Sequence, residues 1–173
     1  MDEEPILLHE PNLMRAILRA AQHGPAGRAE ALAELTATLR TAREPIPPDG
    51  GELEERLDEA LRLLVGAAAL APEAAGRYRL TERGAELLAR HPDGIDQTVL
   101  AADPEFRRFL ARQHLAARGA GADEQQLDAY FAGMAAFAEG APADANPYPA
   151  DVSAHLAWEN GWCEARDGRA QGT

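Results

Sequence analysis

The chain has 173 residues, enough for one domain or two small ones. Its 29 carboxylates outnumber 17 basic residues, so the net charge of −12 repels a phosphate backbone unless the few cations cluster. All 17 cations are arginine, and the missing lysine excludes a P-loop nucleotide site, a pyridoxal Schiff base and a protein-kinase phosphate site.

The first ten residues are acidic around an apolar patch at Ile6, Leu7 and Leu8. From Pro11, the spacing of Leu13, Met14, Ile17, Leu18 and Ala21 predicts a helix, which Gly24-Pro25 ends. Ala31, Leu32, Leu35 and Leu39 mark a second helix, stopped by Pro45-Ile46-Pro47-Pro48. A third runs from Gly51 to Gly66, with Leu53, Leu57, Leu61, Leu64 and Val65 on one face. Arg77-Tyr78-Arg79-Leu80 alternates like a strand, paired with a short strand near Ala69-Leu70. Thr81 then caps a fourth helix that buries Leu87 and Leu88. This order of three helices, a hairpin and a closing helix is a winged helix-turn-helix.

Beyond Asp93 the pattern loosens. Ile95, Val99 and Leu100 suggest a short helix, and Pro104 opens another through Phe106, Phe109, Leu110 and His114. That segment carries Arg107, Arg108, Arg112 and Arg118 and is the one basic stretch of the chain. Arg118 to Ala122 reads as a Gly/Ala linker. A helical pair follows, Asp123 to Gly140 and Ser153 to Arg166, joined by a proline-rich turn, with Asp167 to Thr173 expected to be disordered. The fold class is therefore mainly α. A winged helix over residues 8–92 leads through a basic connector at 93–122 to a two-helix hairpin at 123–167.

The single Cys163 allows no internal disulfide, as expected in a reducing cytoplasm, and no signal peptide or membrane-length apolar run is seen. The arginine-only basic complement fits GC-rich bacterial coding. Five histidines are scattered singly without ligand spacing, and Ser153 lies in no nucleophile-elbow pattern. No catalytic residue, cofactor or metal is expected.

Tyr78-Arg79-Leu80-Thr81-Glu82-Arg83-Gly84-Ala85-Glu86-Leu87-Leu88, with Leu61 to Gly66 before it, most resembles the N-terminal domain of Mrr-type restriction proteins. That resemblance implies duplex-DNA binding, with the third helix in the major groove. This helix carries Glu52, Glu54, Glu55, Asp58 and Glu59 against Arg56 and Arg62, and the wing adds only Arg77 and Arg79. The charge disfavours DNA and favours a scaffold or dimerisation role.

Tyr130-Phe131-Ala132-Gly133, Ala136-Phe137, Gly140, Asn146-Pro147-Tyr148-Pro149, Ala157-Trp158 and Gly161-Trp162 resemble the small bacterial ribosome modulation factors and their CrpP-like relatives. The family packs two helices across a proline-containing connector and binds the small ribosomal subunit, which makes the ribosome or a ribonucleoprotein the implied partner. The parent factors are strongly basic. From Asp123 onward this chain sets nine carboxylates against Arg166 and Arg169, and Asn146 stands where the parent family has a cysteine. RNA contact would need help from Arg107, Arg108, Arg112 and Arg118.

Trp158 and Trp162, four residues apart, share one helix face. They are expected to pack on Phe131, Met134 and Phe137 rather than stack nucleobases. Gly133, Gly140 and Gly161 would let two helices approach closely, and Tyr148, between Pro147 and Pro149, would cover one end of that core. The expected function is a non-enzymatic binding or regulatory protein, docking on a ribosome or ribonucleoprotein, with a protein partner or a second copy as the contact. A DNA-binding winged-helix regulator is the runner-up. A CrpP-like enzyme modifying an antibiotic with ATP is the third reading; the chain has no glycine-rich phosphate loop for it.

Overall fold

Helix α1 (Glu10–Ala21) begins around Pro11, whose missing N–H leaves nothing unpaired in a first turn. The computed structural model describes residues 9–43, 51–119 and 122–171. The Ile6–Leu8 patch, the Pro45–Pro48 stop and residues Ala120 and Gly121 of the linker lie outside them. The structure is mainly helical, with one small two-stranded antiparallel hairpin. It divides into two units, Met1–Phe106 and Arg107–Thr173, so the 93–122 segment contributes to both.

In the first unit α1 buries Leu13, Met14, Ile17 and Leu18 against α2 (Arg28–Ala42) and α3 (Gly51–Gly66). Leu35 and Leu39 come from α2, and Leu57, Leu61 and Leu64 from α3. Each such side chain contributes about 1.5–3 kcal/mol on burial. The chain then forms β1 (Leu70–Pro72) and β2 (Tyr78–Leu80), with Leu70 opposite Leu80. Ala26 bridges to Tyr78 through two backbone hydrogen bonds of 2.9 and 2.8 Å, so the wing is tied back to the α1–α2 turn. The order α1–α2–α3–β1–β2–α4 is that of a winged helix.

Thr81 caps α4 (Glu82–Arg90), its Oγ1 accepting the Gly84 N–H at 3.1 Å and donating to Ala68 O at 2.7 Å. Gly84 is required here. A Cβ on it would overlap the Ala69 carbonyl and lie 2.7 Å from Leu80 Cδ1. Leu87 and Leu88 are only half-buried, contrary to expectation; Leu87 lines an open depression with the polar side chains of Arg83, Glu86 and Arg90. Ile95 is fully buried but belongs to the loop before α5 (Gln97–Leu100), where its N–H donates to Pro11 O at 3.1 Å. Asp103 pairs with Arg83 at 2.6 Å, and Phe106, near the start of α6 (Pro104–Ala117), is fully buried.

The second unit is α6 beyond Phe106, α7 (Glu124–Ala138) and α8 (Ser153–Gln171). Asp123 opens α7 with a capping box: its carboxylate accepts the Gln126 N–H at 2.8 Å while Gln126 Oε1 accepts the Asp123 N–H at 3.0 Å. Helix α8 does not stop at Arg166. It continues to Gln171, and the expected disordered tail is helical as far as that residue. Aromatic contacts supply the reason, with the Arg169 guanidinium 4.7 Å from the Phe137 ring centroid and that of Arg166 5.7 Å from Trp162.

Candidate functional site

The α7–α8 hairpin carries the sequence signature and is built on two glycines. A Cβ on Gly133 would overlap the Trp158 carbonyl oxygen, with Trp158 C at 2.9 Å and Trp162 N at 3.0 Å. A Cβ on Gly161 would overlap the Tyr130 carbonyl oxygen, with Tyr130 C at 2.8 Å. Backbone therefore meets backbone at both points. Gly140 plays no part in this approach: nothing lies within 4 Å of where its Cβ would be. Its φ of 84° instead turns the chain out of α7, a left-handed conformation glycine adopts freely.

Around the two glycines lies the unit's core of Ala111, Leu115, Leu127, Ala129, Tyr130, Ala154, Ala157 and Trp158, with Phe131, Met134, Tyr148 and Trp162 packed against it. Trp158 is 2% exposed, which leaves no face for a nucleobase. Trp162 is half-buried; its ring meets Phe137 edge-on at 5.2 Å and its Nε1–H donates to Ala141 O at 2.9 Å.

The proline turn is held by Asn146. Its Oδ1 accepts the Tyr148 N–H at 3.0 Å and its Nδ2 donates to His155 O at 3.0 Å, so one side chain pins the turn to the first turns of α8. His155 Nδ1 lies 2.7 Å from Tyr148 O and must carry the proton there, since a carbonyl only accepts. Its Nε2 faces Glu159 at 3.3 Å. Pro147 and Pro149 are exposed and fix the backbone between these bonds, leaving Tyr148 half-buried against the core. Asn146→Ala should lower the stability of this unit by about 1–2 kcal/mol through two lost hydrogen bonds. Urea unfolding followed by tryptophan fluorescence checks it, with Asn146→Asp, which keeps only the acceptor, falling between.

The structure assigns most of the arginines to neighbours. Arg108 and Arg112, one helical turn apart, converge on Glu124, with Arg112 Nη2 at 2.8 Å, and Arg108 also reaches Asp128 at 3.5 Å. Hydrogen bonds from Arg112 and then Arg108 hold the Glu124 carboxyl below its ordinary range, and Glu124 in turn pushes the Arg108 guanidinium up. Arg118 donates to Asn160 Oδ1 at 2.9 Å. In the wing, Arg77 donates to Pro25 O and pairs with Glu30 at 3.3 Å, while Arg79 pairs with Glu73 at 3.2 Å. Arg107 is exposed on α6. Such exposed pairs add little stability, about 0–1 kcal/mol each. They do cancel the local positive field that a phosphate backbone would need.

One polar cluster has no signal in the sequence. His114 Nε2 of α6 lies 3.0 Å from Glu164 Oε2 of α8, both atoms buried and neither in hydrogen-bond geometry, and the Tyr130 ring of α7 stands 6.0 Å from that of His114. Burial, then Glu164, pushes the Tyr130 phenol far above its ordinary value, so it stays a neutral donor. The three residues come from three helices and meet at the edge of the core. Their separations in the chain follow no motif, so only the tertiary fold reveals them.

Among the described residues, no group of three or more His, Cys, Asp or Glu is arranged to hold a metal ion, and no helix is long and apolar enough to cross a membrane. Cys163 is half-buried and unpaired by any disulfide. Compared with family models, with curated proteins and with solved structures, the chain gives no match.

Proposed function

We propose that the chain is a non-enzymatic binding protein whose C-terminal hairpin docks on a ribonucleoprotein particle, the ribosome first among them, through a protein component of that particle. The observation that carries this reading is a pair of apolar side chains in the wrong place for a free surface. Val152 and Leu156 are 41% and 48% exposed, and they are the exposed large hydrophobics among the described residues. Val152 immediately precedes α8 and Leu156 lies in its first turn, both beside the proline turn, where one partner surface covers both.

The charge supports a protein contact over an RNA contact. Arg108, Arg112 and Arg118 are drawn to Glu124, Asp128 and Asn160, and the hairpin is otherwise acidic. The burial of Trp158 likewise takes that ring out of base stacking. In the first unit the acidic face of α3 weighs against the DNA-binding regulator.

The test is cosedimentation of the purified chain with ribosomal particles from a stationary-phase lysate, the bound fraction assayed for both RNA and protein. Wild type should pellet with the particles, and Val152→Asp/Leu156→Asp should lower the bound fraction about tenfold, as removal of a central apolar contact does. Recovery of neither ribosomal RNA nor ribosomal proteins overturns the proposal. Retention that is lost in moderate salt but unaffected by the two aspartates would return the contact to RNA.

A further inference from the structure

We infer that the docking face of the hairpin takes a short basic segment of a protein partner, an apolar pair of side chains flanked by lysines or arginines. The inference rests on the reading of Val152 and Leu156 as that face, and it names the chemistry of the occupant. Both side chains offer surface to a partner, at 41% and 48% exposure. Pro147 and Pro149 stand exposed in the turn before them. A patch of this size suits one short segment rather than a globular interface, which needs about 800 Å² on each side.

The carboxylates around the patch set the charge of the occupant. Asp151 immediately precedes Val152, and Glu159 stands one helical turn beyond Leu156 on the same side of α8. Asp144 lies earlier in the same connector. All three are exposed, and among the described residues none of them pairs with an arginine. Glu159 meets the His155 ring instead, at 3.3 Å. Elsewhere in the unit Glu124 and Asp128 pair with Arg108 and Arg112, and Asp167 with Arg166. Arginine thus neutralises the start of α7 and the end of α8, and leaves the connector acidic.

The N-terminus of α8 opposes these charges with the equivalent of about half a positive charge. Three carboxylates outweigh it, so the face repels an acidic segment and a phosphate backbone alike. A purely apolar segment would cover Val152 and Leu156 but leave the carboxylates without counter-charges. Lysines or arginines on both sides of an apolar pair answer both features, one flank meeting Asp151 and the other Glu159.

The experiment uses the full chain and a fluorescein-labelled peptide of about 10 residues, with a leucine pair between flanking arginines. Anisotropy should show saturable binding that weakens as salt is raised. A peptide with serines in place of the leucines should bind at least about tenfold more weakly, and Asp151→Arg/Glu159→Arg should weaken the leucine peptide to the same degree. Glu52→Arg/Glu55→Arg, an equal change of net charge at exposed positions of the first unit, should leave affinity within about twofold. Circular dichroism confirms that both variants are folded. Equal losses in the two charge-reversal variants, equal binding of the serine peptide, or no binding of the leucine peptide overturns the inference. Cosedimentation separates it from ribonucleoprotein docking. Particles that retain Asp151→Arg/Glu159→Arg as well as wild type overturn the basic occupant and leave docking in place. Wild type absent from the particles but binding the leucine peptide withdraws the ribonucleoprotein and upholds the basic segment.

Discussion

Gly161→Ala is expected to destabilise the second unit by about 3 kcal/mol, the upper end of what overpacking costs. The new methyl would meet the Tyr130 carbonyl, which is backbone and cannot rotate aside. The only relief is for α7 and α8 to part, and that opens the seam around Trp158 and Ala157 along its whole length. Gly133→Ala, facing the Trp158 carbonyl, should behave the same way. Gly168→Ala on the same helix is the control, since nothing lies within 4 Å of its Cβ position. There, the gain in helix propensity should make the change neutral or stabilising by up to about 1 kcal/mol. Urea unfolding followed by fluorescence checks the set, because both tryptophans of the chain lie in α8 and report this unit alone. Similar losses at positions 161 and 168 would show that helix separation is not the cause.

Trp158→Ala should cost about 3–5 kcal/mol, which for a unit of this size is most of its stability. The side chain is the largest of those fully buried, and its removal leaves a cavity bounded by helix backbones that the close approach keeps from collapsing. Trp162→Ala should cost less, because that ring is half-buried and loses an edge-on contact with Phe137 and one hydrogen bond to Ala141. Trp162 remains to report unfolding of the first variant, and Trp158 of the second. The core assignment fails if Trp158→Ala leaves the unfolding midpoint in place while abolishing partner binding, since that pattern belongs to an exposed stacking platform.

Much of the architecture was legible because it rests on local rules. The period of the leucines places α3 from Gly51 to Gly66, as observed, and Thr81 in front of Glu82-Arg83-Gly84 announces a cap that the Gly84 N–H fills. The two tryptophans at helical spacing point to a core, and Trp158 lies in it. What could not be read depended on partners distant in the chain. Arg108 and Arg112 look like a free basic face until α7 brings Glu124 and Asp128 alongside. Gly140 looks like its neighbour Gly133, and only its φ of 84° separates a helix exit from a contact point. The residues after Arg166 are polar, and their helix is explained by Phe137 beneath Arg169. His114, Tyr130 and Glu164 belong to no pattern at all before three helices converge on them.

The paired glycine contacts also act as a key for alignment. Tyr130 faces Gly161 and Gly133 faces Trp158, so the two helices interlock at two points three residues apart, running in opposite directions. Sliding either helix by one residue would set a side chain against a carbonyl at both points at once. The hairpin can therefore close in one register only. An extra residue in the connector between Gly140 and Ser153 must loop out, whereas one inserted between Tyr130 and Gly133 would leave no closed alignment to adopt.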